Sequence, residues 1–138
     1  MKYLGLDNRY YPVQASDYTV YADDSKRKSE LHLRARKILK GFFPCDKILE
    51  EVSIRGANRN GGILYADFLL PAQSVLVEVH GEQHYSYSKF FHGDKMAFLK
   101  AKMRDNDKIE WCNNNNISYI ELPFGETDEQ WSTRIEAR

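Results

Sequence analysis

"ILYADFLLPAQSVLVEVH" (residues 63–80) holds two short runs of aliphatic, β-branched and aromatic residues parted by "PAQS". Runs of this kind read as strands, Ile63 to Leu70 and Val75 to His80, with the Pro and Ser marking the break. If the two pair as an antiparallel hairpin with a symmetric loop, Leu70 faces Val75 and Asp67 faces Glu78. Facing residues bring their Cβ atoms to about 4.5–5.5 Å, so two carboxylates meet inside an apolar hairpin. His80 shares the face of Glu78 because side chains alternate with period two.

Two carboxylates in such a place need a cation or a shared proton, because an isolated buried carboxylate is expensive. A hard divalent ion suits one Asp and one Glu: Mg²⁺ takes carboxylate, carbonyl and water oxygens and keeps several waters beside a substrate phosphate. The bland alternative has Glu78 turned to solvent from an edge strand and Asp67 ending a ladder.

Upstream, a helix begins near Ser25 or Ser29 as N-cap and runs to about Lys40, before Gly41 and Pro44. Its expected apolar stripe is Leu31, Ala35, Ile38 and Phe42, with Glu30 near the stripe's edge. Without other information Glu30 reads as a first-turn acid favoured by the helix dipole. "KILEEVSIRG" (47–56) is a further strand segment. Residues 1–24, rich in Tyr, show no period and read as a partly extended lead-in, which leaves 25–138 as one domain.

Downstream, a second helix spans about Asp94 to Cys112. On a projection of about 100° per residue, Phe98, Ala101, Ile109 and Cys112 share a side with Asp105 in their midst. An acid on a core-facing stripe wants a partner, and His80 and His84 in "VEVHGEQHY" (77–85) are the candidates; a purely structural Asp–His pair is the alternative. "NNNN" (113–116) ends the helix, since Asn tolerates the left-handed cap. "ISYIELP" (117–123) is then a strand, giving a strand–helix–strand crossover, and the whole reads as a single α/β domain with a central mixed sheet flanked by helices.

Composition narrows the function. The chain has 138 residues, 42% hydrophobic and 29% charged, as an ordinary globular domain has. No run approaches the roughly 18 apolar residues of a membrane span, and the start lacks the apolar stretch of a signal peptide, so a cytoplasmic protein without a membrane partner is expected. Cys45 and Cys112 form neither a metal pair nor a disulfide framework and read as small, semi-buried hydrophobes. Twenty basic and twenty acidic residues balance, so a nucleic-acid site has to be local. The local clusters are "KRK" (26–28), "RARK" (34–37), Arg55 with Arg59, and Lys95 to Arg104; clusters of this kind also occur as solvated helix faces.

The order of a helical Glu30, "ADF" with Asp67, "VEVHGEQHY", "RDNDKIEWC" and "ISYIELP" resembles the PD-(D/E)XK nuclease superfamily. Within it the sequence is most similar to the very-short-patch repair (Vsr-like) endonucleases and the phage EDxHD homing endonucleases. The resemblance covers about residues 25–122. It implies a restriction-endonuclease-like sheet and a metal-dependent DNA endonuclease, acting in a host cytoplasm, with Mg²⁺ or Mn²⁺ at Asp67 and Glu78. Glu30 then lies near the metal waters, His80 stands where the superfamily's Lys would be, His84 matches the second histidine and Asp105 the supporting acid. Two departures stand out: Ala66 replaces the Pro of "PD", and no Lys occupies the third catalytic position. His84 or His80 would act as base with Asp105 fixing its tautomer, and Arg27, Arg34, Arg55, Arg59, Lys102 and Lys108 would position the DNA backbone. A catalytically weakened nucleic-acid-binding module on a nuclease fold, and a nuclease for RNA or branched DNA, are the competing readings. A domain this small leaves room for a homodimer or a partner chain that supplies specificity.

Overall fold

The computed structural model describes residues 1–14, 29–59, 61–81 and 95–138. Two short strands, β1 (Lys2–Leu4) and β2 (Tyr10–Pro12), pair antiparallel. Then follow α1 (Glu30–Phe42), β3 (Leu49–Ile54), β4 (Leu64–Leu70), β5 (Val75–His80), α2 (Lys95–Asn114), β6 (Ser118–Pro123) and α3 (Asp128–Glu136). The main sheet runs β3-β4-β5-β6, antiparallel across the first two junctions and parallel between β5 and β6. A mixed four-stranded sheet within an α/β domain is therefore present. The parallel β5–β6 pair requires the long connection that α2 supplies.

The sheet separates two apolar layers. On one face Leu64, Ala66, Leu69 and Leu76 pack with Trp111 and Cys112 of α2 and with Val13 beside the N-terminal hairpin. On the other, Phe68, Leu70, Val75 and Val77 pack with Ala35 and Leu39 of α1 and with Trp131 and Ile135 of α3. Strict alternation breaks once in β4. Ala66 and Leu69, three residues apart, share a face, so the pleat changes phase around Asp67. The neighbouring strand does the same, with Leu49 and Val52 on one face and Glu51 between them at φ 51°.

The β4–β5 hairpin has the expected register, Leu70 opposite Val75 and Phe68 opposite Val77. Pro71 opens a single 3₁₀ turn and Ser74 closes it at φ 52°. Of the two expected N-cap candidates Ser29 caps α1, accepting from His32 N–H. The end of the helix and its core stripe differ from expectation. The helix passes through Gly41 to Phe42, because a glycine in the last turn costs little there and it is Pro44 that forbids its predecessor a helical conformation. The core stripe of α1 is His32, Ala35 and Leu39, with Leu31, Ile38 and Phe42 only partly buried. α3 is an addition to the expected elements. Thr127 and Gln130 close it with a reciprocal capping box.

Candidate functional site

The site is built where β4 and β5 stop pairing. Below Phe68 and Val77 the ladder gives way to side chains: Asp67 N–H donates to Glu78 Oε2 at 2.9 Å, and Val79 N–H donates to Asp67 Oδ2 at 2.8 Å. Each carboxylate thus takes an amide from the opposite strand. This satisfies the backbone groups that the change of pleat leaves unpaired. Asp67 Oδ1 keeps no hydrogen-bond partner among the described residues, and Glu78 Oε1 is held by Lys108 Nζ of α2.

Glu78 is 3% exposed, so the edge-strand alternative does not apply. Burial first, then the nearby Asp67 charge, raises its pKa from 4.5 to about 7, against the pull of Lys108. The pair is two hard oxygen donors, one with an open oxygen, in a place where charge is already opposed by a cation. That donor set fits a hydrated Mg²⁺ or Mn²⁺. Among the described residues no group of three or more His, Cys, Asp or Glu is placed to hold a metal ion, so the two carboxylates would depend on water and substrate oxygens for the remaining donors.

His80 is 5% exposed and lies beside the pair on β5. Its Nδ1 is 2.6 Å from Glu121 Oε1 and its Nε2 3.3 Å from the Tyr119 hydroxyl, both on β6. The parallel register places Glu78 opposite Glu121, so β6 also delivers an acid to His80, and the other expected partner of Asp105, His84, lies outside the described residues. With Nδ1–H donated to Glu121, Nε2 accepts from Tyr119. Burial, then the charges of Glu78, Asp105 and Glu121, raise the Tyr119 pKa, so its O–H remains a donor.

Asp105 is half-buried in α2 and lines a groove of about 340 Å³ with Leu64, Tyr65, Arg104 and Lys108. Its charge reaches Tyr119, which ties it to the same cluster. Ile109, expected on the inner stripe, is exposed. The inner face is instead Ala101, Asp105, Lys108 and Cys112, within about 60° of one another at about 100° per residue. Lys108 is legible there by its angle, but a lysine does not look like an inward residue, and the sequence reading assigns it to the DNA backbone instead.

Glu30 is exposed at the first position of α1 and makes no hydrogen bond to either carboxylate. His84 and Arg27 lie outside the described residues. The remaining basic candidates are mostly engaged within the protein. Arg34 stacks over Trp131 at 3.8 Å and bonds Asp128 and the Glu126 carbonyl, Arg59 pairs with Asp107 and Glu110, and Lys102 lies 5.5 Å above the Phe98 ring. Lys108 sits on Glu78 rather than on a solvent-facing surface, and Arg55 is exposed. Sequence reading missed a second buried polar group: His32 stacks on Phe68 and contacts Glu50 at 2.5 Å, and Arg36 binds the same carboxylate with two nitrogens. Cys45, expected to be semi-buried, is exposed.

No family model and no solved structure matches the chain. It is similar to uncharacterized protein 033L of Invertebrate iridescent virus 3, at 36% identity over 88% of the chain and 62% of that protein. It is also similar to uncharacterized protein 307L of Invertebrate iridescent virus 6, at 38% identity over 49% of the chain and 35% of that protein. The chain thus spans less than two thirds of either relative. Both are proteins of viruses of invertebrates. Among the described residues no helix is long and apolar enough to cross a membrane.

Proposed function

We propose that the chain is a metal-dependent nuclease of the PD-(D/E)XK kind that hydrolyses DNA phosphodiester bonds, with Asp67 and Glu78 holding Mg²⁺ or Mn²⁺. The observation that carries the reading is the splayed end of β4–β5. Two carboxylates there replace ladder hydrogen bonds by accepting amides of the opposite strand, leaving Asp67 Oδ1 open and Glu78 Oε1 on the Lys108 ammonium. A purely structural acid pair gains nothing from like charges held together in a buried place. The helix, three antiparallel strands, helix, parallel strand order supports the same reading.

A bound Mg²⁺ or Mn²⁺ would polarise the scissile phosphate and offset its developing charge. Asp67 and Glu78 would hold the ion, each with one oxygen tied by an amide of the opposite strand, Val79 N–H and Asp67 N–H, so that neither rotates away. Glu121 fixes the His80 tautomer, and with Nε2 engaged by Tyr119 this ring serves as an oriented support. His84 is therefore the proposed proton acceptor for the attacking water. The groove beside Asp105, Arg104 and Lys108 is where substrate would lie. DNA is the proposed partner, in an infected cell, with a second copy or another chain contributing specificity. A plasmid-nicking assay with Mg²⁺, Mn²⁺ or EDTA tests this, comparing wild type with Asp67→Asn. Metal-dependent nicking lost in the variant is expected. Tight DNA binding without cleavage would favour the binding-module reading, and preferential cutting of RNA or junctions would reassign the substrate.

A further inference from the structure

Among the described residues Lys108 is the one cation recorded on Glu78. Its side chain is 14% exposed and that of Glu78 4%, so the pair is largely desolvated. It reaches the carboxylate from the middle of α2, between Asp105 and Cys112 on the helix's inner face, and it also lines the groove with Arg104 and Tyr65. The contacted oxygen is Oε1, the one that no backbone amide holds.

We infer that Lys108 is an exchangeable counterion: its ammonium occupies the carboxylate pair in the metal-free protein and is displaced into the adjoining groove when a divalent cation binds. The inference rests on the proposed metal site and deepens it. A charge count makes the case. Asp67 and Glu78 together carry two negative charges when ionised, and one ammonium leaves the pair undercompensated. A divalent ion balances it and repels the ammonium at close range. The lysine chain is long and flexible, and it has somewhere to go, since the groove beside it is open and already part of its surroundings. In the groove its charge would meet a substrate phosphate. A cation thus becomes available on the substrate side only after the metal is seated, and Lys108 acts there as a positioning residue.

Calorimetric titration of MnCl₂ or MgCl₂ into wild type, Lys108→Met, Lys108→Arg and Asp67→Asn tests the exchange without reference to cleavage. Lys108→Met should bind metal about tenfold more tightly than wild type, because no ammonium has to leave and none is repelled afterwards. Lys108→Arg should bind no more tightly than wild type, and Asp67→Asn should not bind. A second measurement needs no variant: the reactivity of Lys108 towards an acylating reagent, followed by mass spectrometry in EDTA and in Ca²⁺ or Mg²⁺. It should rise several-fold with metal. Lys108→Met binding equally or more weakly, or Lys108 reactivity unchanged while Asp67-dependent binding persists, overturns the exchange and leaves the metal site standing. No binding by wild type overturns the metal site, and the exchange with it.

Discussion

Asp67 and Glu78 carry opposed requirements, as each must accept an amide from the other's strand and each repels the other's charge. Asp67→Asn separates the two, because Asn Oδ1 still accepts from Val79 N–H while the charge is gone. In EDTA the variant should be as stable as wild type or more stable by about 0.2–1 kcal/mol, since a like-charge cross-strand contact is relieved. In Mg²⁺ its melting temperature should not rise, and an equal rise in both proteins would remove Asp67 from the metal site. The pH dependence follows from Glu78, raised from 4.5 to about 7 by burial and then by Asp67. A carboxyl raised in the fold favours the folded state while protonated and withdraws that support as pH climbs from about 4.5 through 7. The variant's advantage over metal-free wild type should therefore widen across that window in urea melts. At this scale the sequence was informative about the acids, because an antiparallel register follows from one turn, and silent about the placing of Lys108 on Glu78 and of Glu121 on His80. Those two are brought in by a helix rotation and a parallel register that hydrophobic periodicity does not resolve.

Elements are held together by polar contacts that periodicity reads as surface. α1 was expected to bury Leu31, Ala35, Ile38 and Phe42. It rotates towards His32 instead, because His32 stacks on Phe68 and meets Glu50, which Arg36 also binds. Burial by itself would raise the Glu50 pKa, yet His32 and Arg36 outweigh it and bring it down from 4.5 to about 2. A carboxyl lowered in the fold contributes stability that is fully present above its ordinary value and lost as pH falls from about 4.5 towards 2. Glu50→Gln should flatten the acid limb of the stability curve over that range while lowering stability at neutrality. An unchanged limb would show the cross-link to be inert. Arg34 links α1 to α3 through Trp131 and Asp128, so Arg34→Ala should lose about 1–2 kcal/mol in thermal or urea melts, through lost cation–π and hydrogen-bond contacts. DNA affinity measured by filter binding at matched folded fraction should scarcely change. A large affinity loss with no destabilisation would return Arg34 to the DNA surface. α3 itself shows in the sequence only as "ETDEQW" (126–131), where the spacing of Thr127 and Gln130 is that of a capping box.

Across the whole molecule the N-terminal hairpin decides how firmly α2 is seated, and its Tyr-rich sequence gave no period from which to infer a docked element. Asn115, the residue after α2, clasps β1 from both sides: Leu4 N–H donates to its Oδ1 at 2.7 Å, and its Nδ2 donates to Leu4 O at 2.9 Å and to Trp111 O at 2.8 Å. Tyr3 lies 5.3 Å from Trp111 between ring centres, and Leu6 N–H donates to Gly56 O at 2.7 Å. Gly56 cannot take a side chain there, since its φ is 77° and a Cβ would come within 2.6 Å of Tyr11 and 2.9 Å of Gly5 Cα. Asn115→Ala leaves both polar groups of Leu4 without a partner and should cost about 1–3 kcal/mol. Because Lys108, Trp111 and Asn115 share one helix, the loss should travel along α2 into the site. Hydrogen exchange should accelerate first in the hairpin and the last turns of α2, with Phe68 to Leu70 protected to the end. Gly56→Ala should give the same order from the opposite side of the hairpin. If instead both variants speed exchange equally at Leu4 and at Leu69, the hairpin opens only with the whole sheet, and α2 cannot be loosened without unfolding the carboxylate pair.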